Sequence, residues 1–167
     1  MDPSPLRKFI NKVLRRQPQH GGGSQQSKEI SIPEEVRKEA RRGLSLMRQG
    51  FLGGTPTGWH RAVQLSGKTI DLESLAVMRA WFARHGPDAS NGGTSYRGYH
   101  KWMLAGAPTS TSTSKVPKDS LRAPVAWLIW GGDPAYRWLK SPEIRGLLKA
   151  QFPDKKEASR SNRLLKI

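Results

Sequence analysis

The sequence predicts an all-α fold, a small irregular multi-helix domain with long loops and flexible basic ends. Three observations carry this. Apolar residues recur at i, i+3, i+4 and i+7 in successive segments, the spacing of a one-sided helix. Ser, Asp, Pro and Gly fall where helices start and stop. The most apolar run, Pro124 to Trp130, ends on Gly131-Gly132 among segments that read as helices.

The expected layout is a basic amphipathic helix over 1–17, a Gly/Ser/Gln linker over 18–30, a helical core over 31–153 with a Ser/Thr-rich loop at 105–120, and a basic tail over 154–167. In the first segment Leu6, Phe9, Ile10, Val13 and Leu14 form one apolar stripe, with Ser4 as N-cap and Pro5 in the first turn. The opposite face carries Arg7, Lys8, Lys12, Arg15 and Arg16. Such a helix can lie on a membrane or dock on protein. Docking on protein, in cis or in trans, is favoured, with peripheral membrane contact as the lesser option. It is too short to be stable alone.

Gln17 to Lys28 has no apolar anchor and reads as a tether. Ser31 and Glu34 match a capping box with Pro33 in the first turn. Val36, Ala40, Gly43, Leu44 and Met47 then give a buried stripe ending at Gly50. A Gly-rich turn leads to a short helix from Trp59 to Leu65. Asp71 caps a third helix, Leu72 to Arg84, stopped by Gly86-Pro87. Leu72, Leu75, Met78 and Phe82 are its core stripe. Ala76, Ala80 and Ala83 form a small-residue face open to a close helix neighbour.

Tyr96 to Leu104 reads as helical, packed through Tyr99, Trp102 and Met103. Periodicity alone does not separate strand from helix in the apolar run, but its neighbours favour a helix. Asp133-Pro134 and Ser141-Pro142-Glu143 each resemble a cap followed by a first turn.

Composition is ordinary for a globular chain, with 35% apolar and 25% charged residues. Charge is not ordinary: 29 Lys and Arg against 13 Asp and Glu give +16. That balance attracts nucleic acid, anionic membrane or acidic protein, although basic surfaces also serve solubility. The absence of cysteine excludes disulfide frameworks and Cys-based zinc sites. No run approaches the ~18 apolar residues of a spanning helix. The N-terminal apolar residues alternate with bases, unlike a secretory signal. A reducing, soluble or particle-bound setting is expected.

No catalytic, metal or cofactor site is expected. His20, His60, His85 and His100 have no metal-ligand spacing. His85 and Asp88 suggest a His/Asp pair, but a histidine at a helix C-terminus explains the first. An N-cap role explains Asp133. Gly53-Gly54, Gly92-Gly93 and Gly131-Gly132 lack the GK[ST] of a phosphate loop. Polyanion contacts are expected from the N-terminal bases, from Arg41 and Arg42, from Arg61, Arg97 and Lys101 among aromatics, and from Lys155, Lys156, Arg160 and Arg163 in the tail. Aromatics beside Arg and Lys suit single-stranded nucleic acid and protein hot spots equally. Most of the six Trp should be core.

Three blocks carry a family resemblance: Gly53-Gly54-Thr55-Pro56-Thr57-Gly58-Trp59-His60-Arg61-Ala62-Val63-Gln64-Leu65, then Phe82-Ala83-Arg84-His85, then Val125-Ala126-Trp127-Leu128-Ile129-Trp130-Gly131-Gly132-Asp133 with Trp138. Read in order, they resemble an uncharacterised domain of tailed-phage and large DNA virus proteins, with the pattern GGTxxGxxRAxQL, FARH and WxxWGGDxxxxW. The resemblance covers roughly Ile32 to Leu139. It departs after His85, where Gly86-Pro87-Asp88 and a Ser/Thr-rich insertion replace a charged HEVD-like continuation. It brings no catalytic residues.

What the resemblance implies is a viral protein in or near the particle. The expected function is therefore non-enzymatic: a minor capsid or virion component that binds neighbouring subunits, and DNA or RNA, through basic arms. The expected location is the virion, or host cytoplasm or nucleus during assembly. The alternative is a nucleic-acid-binding or packaging accessory protein. A nuclease assembled from Asp88, Asp133 and His85 ranks below both.

Overall fold

The computed structural model describes residues 28–109 and 116–153. The expected N-terminal helix, most of the linker and the basic tail lie outside the described residues. So do Leu6, Phe9, Ile10, Val13 and Leu14, Arg7, Lys8, Lys12, Arg15 and Arg16, and Lys155, Lys156, Arg160 and Arg163.

The all-α expectation holds. In chain order the elements are β1 (Glu29–Ser31), α1 (Glu34–Arg48), α2 (Pro56–Leu65), β2 (Thr69–Asp71), α3 (Leu72–His85), α4 (Thr94–Leu104), α5 (Arg122–Ile129), α6 (Gly132–Lys140) and α7 (Pro142–Gln151). The apolar run of α5 is the buried centre, with Val125, Trp127, Leu128 and Ile129 fully inaccessible. Helices α1 and α4 pack most extensively on it.

Glycines set how closely these helices approach. A Cβ on Gly43 of α1 would lie 2.8 Å from Ile129 Cγ2 and 2.9 Å from the Ile129 amide nitrogen. A Cβ on Gly98 of α4 would lie 2.4 Å from the Ala123 Cβ. Six residues separate Ala123 from Ile129, so the two neighbours grip α5 on faces roughly 120° apart.

The expected stripes of α1 and α3 are buried, and Leu46 joins the first. Gly50 ends α1 as expected: at φ 93 it lets its amide reach the Met47 carbonyl while the Phe51 amide reaches Leu46. Asp71 caps α3 through Ser74 at 2.7 Å, and Ser141 caps α7 through Ile144.

Four expectations are corrected. Ser31 and Glu34 form no capping box: Ser31 ends a strand, Pro33 is the N-cap, and Glu34 instead binds Arg37 and Arg41. Residues 29 and 30 belong to the body, because Ile30 pairs with Ile70 across an antiparallel ribbon and both are buried. The alanine face of α3 is not buried against a close helix neighbour: Ala76 packs on the core, but Ala80 and Ala83 are exposed. Met103 is also largely exposed, because α4 turns Tyr99 and Trp102 inward instead.

Both ends of the Ser/Thr-rich loop are fastened to the body. The Trp102 indole donates to the Pro108 carbonyl at 3.0 Å. Beyond the stretch, the Leu52 amide donates to the Lys118 carbonyl at 2.8 Å, the Lys118 ammonium donates to the Gln49 carbonyl, and Leu121 is buried. Four of the six Trp are buried, and Trp59 and Trp138 are half-buried.

Candidate functional site

The three sequence blocks, spread from Gly53 to Trp138, converge on one aromatic cluster. Thr55 caps α2, its hydroxyl accepting from the Gly58 amide, and the Trp59 indole closes the preceding turn on Gly53. Helix α2 then places Gly58 against Ile129 and Trp130, where a Cβ would lie 2.9 Å and 3.1 Å from their side chains. It also carries Arg61 over the Trp130 ring, 5.8 Å from its centroid. Trp130 stacks on Trp81 at 4.8 Å and 10° between planes, and Trp81 stacks on His85 at 4.6 Å. Phe82 meets Trp127 edge-on at 5.1 Å.

Arg61 was expected to touch polyanion; the structure corrects this. It is 8% exposed, so no phosphate reaches it without unpacking α2. Its guanidinium donates to Gln64 Oε1, and the Gln64 amide donates onward to Asp71 at 3.2 Å and Ser74 at 3.0 Å. The relay ties α2 to the start of α3. Burial pushes the Arg61 guanidinium below its ordinary value, against the opposing charge of Asp71. Asp71 is pushed upward by burial, but the Ser74 amide and hydroxyl and the charge of Arg61 outweigh that and hold it below the ordinary value.

Asp133 is not a helix cap. Gly131, left-handed at φ 94, is the N-cap of α6, with no side-chain hydrogen bond. A left-handed residue followed by Gly132 at φ 62 swings the Asp133 carboxylate back toward α5. There it accepts the Trp127 indole N–H at 2.8 Å, and His100 Nε2 lies 3.0 Å from each of its oxygens. Nothing in the sequence links Asp133 to His100, 33 residues away on another helix.

Glu39 of α1 completes this corner. Its carboxyl is raised above the ordinary value, first by burial and further by the negative charge of Asp133, with Arg42 and Tyr99 opposing. Arg42 lies 3.9 Å from Glu39, a charge contact too long for a hydrogen bond. Glu39 Oε2 has no hydrogen-bond partner among the described residues. Glu39, Tyr99, His100 and Asp133 thus place acid, base and hydroxyl groups where α1, α4 and α6 meet. Among the described residues no three His, Cys, Asp or Glu side chains are arranged to hold a metal ion.

The His85–Asp88 pair does not form. His85 lies against Trp81, and burial together with neighbouring Arg84 holds its imidazole below the ordinary value. Asp88 binds the Tyr136 hydroxyl and the Lys140 ammonium. The hydrogen bonds from Lys140 and Tyr136 keep Asp88 below the carboxylate range.

Of the other expected polyanion contacts, Arg42 is half-buried over the Trp102 ring at 5.1 Å. Arg41 is exposed and paired with Glu34. Arg97 and Lys101, on α4, are exposed and form no salt bridge among the described residues. No helix of the described residues is long and apolar enough to cross a membrane. No protein-family profile, curated protein or solved structure matches the chain.

Proposed function

We propose that the chain is a non-enzymatic structural protein of a virus particle, a minor capsid or virion component that adheres to nucleic acid and neighbouring subunits through basic surfaces. The supporting observation is how the body divides its charges. The described residues hold 18 Lys and Arg against 10 Asp and Glu, half of the total excess of +16. Several of the acids are engaged by the body itself, while Glu35, Glu73, Asp119 and Glu143 are exposed. Glu34, Asp71, Asp88 and Asp133 bind the body's own side chains and backbone, and Glu39 is half-buried. The bases face outward: Arg48, Lys68, Arg97, Lys101, Arg122 and Arg137 are exposed without an ion-pair partner among the described residues.

A surface of this kind binds polyanions by releasing their counterions. The non-enzymatic reading is supported by Asp133, His85 and Asp88, each engaged in packing or in holding helices together. The viral setting rests on the three sequence blocks alone. Because the body retains half of the excess charge, a nucleic-acid-binding or packaging accessory protein is the second reading.

Fluorescence anisotropy with duplex DNA across a salt series tests this, using the full chain and one lacking 1–17 and 154–167. The full chain is expected to lose affinity with a log–log salt slope of about −3 or steeper. Affinity that disappears with the ends supports assembly adhesion, and stoichiometric copurification with particles through salt washes would complete that case. Affinity and slope that survive truncation favour the accessory protein. No DNA binding at low salt would overturn both.

A further inference from the structure

The broad groove beside β1 is not used by the reading above. It has a volume of about 1040 Å³, at the upper end of the ~300–1,000 Å³ typical of small-molecule pockets. Backbone from residues 28 to 33 forms one side, and the start of α7 with Trp138 forms the other. Its open apolar surface comes mainly from the half-buried Trp138 and Leu147, whereas Ile32 and Ile144 line it but are themselves buried. The far edge of β1 has no strand partner among the described residues.

We propose that this groove seats the chain's own N-terminal segment in cis, with Leu6, Phe9, Ile10, Val13 and Leu14 laid against it. Three observations select this occupant. The first is where the chain enters: Lys28, the first described residue, itself lines the groove. The thirteen residues 15–27 that separate it from Leu14 reach ~45 Å fully extended and ~20 Å on average. A tether of that length holds the segment near millimolar effective concentration. The second is charge. Glu29 and Glu143 are exposed at the groove, rare acids in a strongly basic chain, while the face opposite the stripe carries five bases and no acid. The third is need: a stripe this short requires a surface to be stable as a helix. The bases nearest the rim of the groove meet Glu29 and Glu143, and the others on that face stay outward, so the inference does not depend on the polyanion reading.

The test uses the full chain with p-benzoylphenylalanine in place of Phe9. Irradiation is expected to join position 9 to residues 28–33 or 138–147 of the same molecule, with a yield independent of protein concentration. Glu143→Lys, at an exposed position, should lower the yield roughly twofold or more, the scale of one exposed charge pair. Leu147→Asp should lower it further, with circular dichroism checking the fold. If Leu147→Asp unfolds the body, Glu143→Lys alone decides. Adducts elsewhere on the body, or a yield unchanged by Glu143→Lys, would overturn the proposal. Dimeric adducts that fade on dilution would also overturn it and assign the groove to a second copy's segment.

Discussion

Asp133 shows how much a single side chain can differ from its sequence signature. Asp-Pro before a helical pattern reads as a cap, and a lost cap costs ~1 kcal/mol. The carboxylate instead accepts the N–H of a fully buried Trp127. Asp133→Ala should therefore cost about 2–3 kcal/mol, because a buried donor is left unpaired. Urea unfolding followed by tryptophan fluorescence measures this, and a loss under 1 kcal/mol would return Asp133 to a capping role. Glu39 gives a prediction in pH. Its folded-state value is raised above 4.5, so its ionisation opposes folding. The stability tied to its protonated form is complete below about pH 4.5 and is lost as pH rises through the raised value. Glu39→Gln should then be more stable than the native chain at neutral pH, with the difference closing below about pH 4.5. Denaturation midpoints from pH 4 to 8 would show the two curves converging on the acid side. Neither role was legible in the sequence. Partners 33 residues apart on different helices leave no local pattern, and Arg61, which looks like a surface base, is buried by a helix crossing that only the assembled fold creates.

At the scale of elements, the sequence is informative wherever one helix face repeats. The stripes of α1 and α3, the caps at Asp71 and Ser141 and the stop at Gly50 are local features with local physics, and the structure reproduces them. The ribbon of β1 and β2 escapes notice because three residues per strand are too few for an alternating pattern. The crossings on α5 escape for another reason: Gly43 reads as one more small residue in a stripe, not as the point of closest approach. Helix propensity alone says Gly43→Ala gains ~1 kcal/mol. The approach to Ile129 predicts overpacking of ~1–3 kcal/mol instead, so the substitution should be net destabilising. Gly98→Ala should behave likewise, and Ala123→Gly should recover part of the loss by removing the methyl that it meets. Additive effects in that double-mutant cycle would exclude a direct clash.

For the whole molecule, the legible quantities were fold class and charge, and the illegible one was how charge is distributed between interior and surface. With 18 Lys and Arg against 10 Asp and Glu, the described body remains basic without the chain's ends. Removing residues 1–17 should leave that body folded and cooperative, because the described residues by themselves assemble a core from Ile30 to Leu148. Thermal unfolding by circular dichroism checks this, and loss of the cooperative transition in the shortened chain would show the N-terminal segment to be part of the core.

The fastening of the Ser/Thr-rich loop at both ends has a consequence for the integrity of the molecule. Trp102 holds the upstream end, Lys118 and Leu121 hold the downstream end, and α4 and α5 are already locked by Gly98 against Ala123. The covalent chain between Thr109 and Val116 therefore contributes little to keeping the halves together. A single proteolytic cut there should yield two fragments that travel as one particle and part only in denaturant. Expressed separately, the halves should find each other and complement, which would make this protein a split reporter whose cleavage point is already written into its loop.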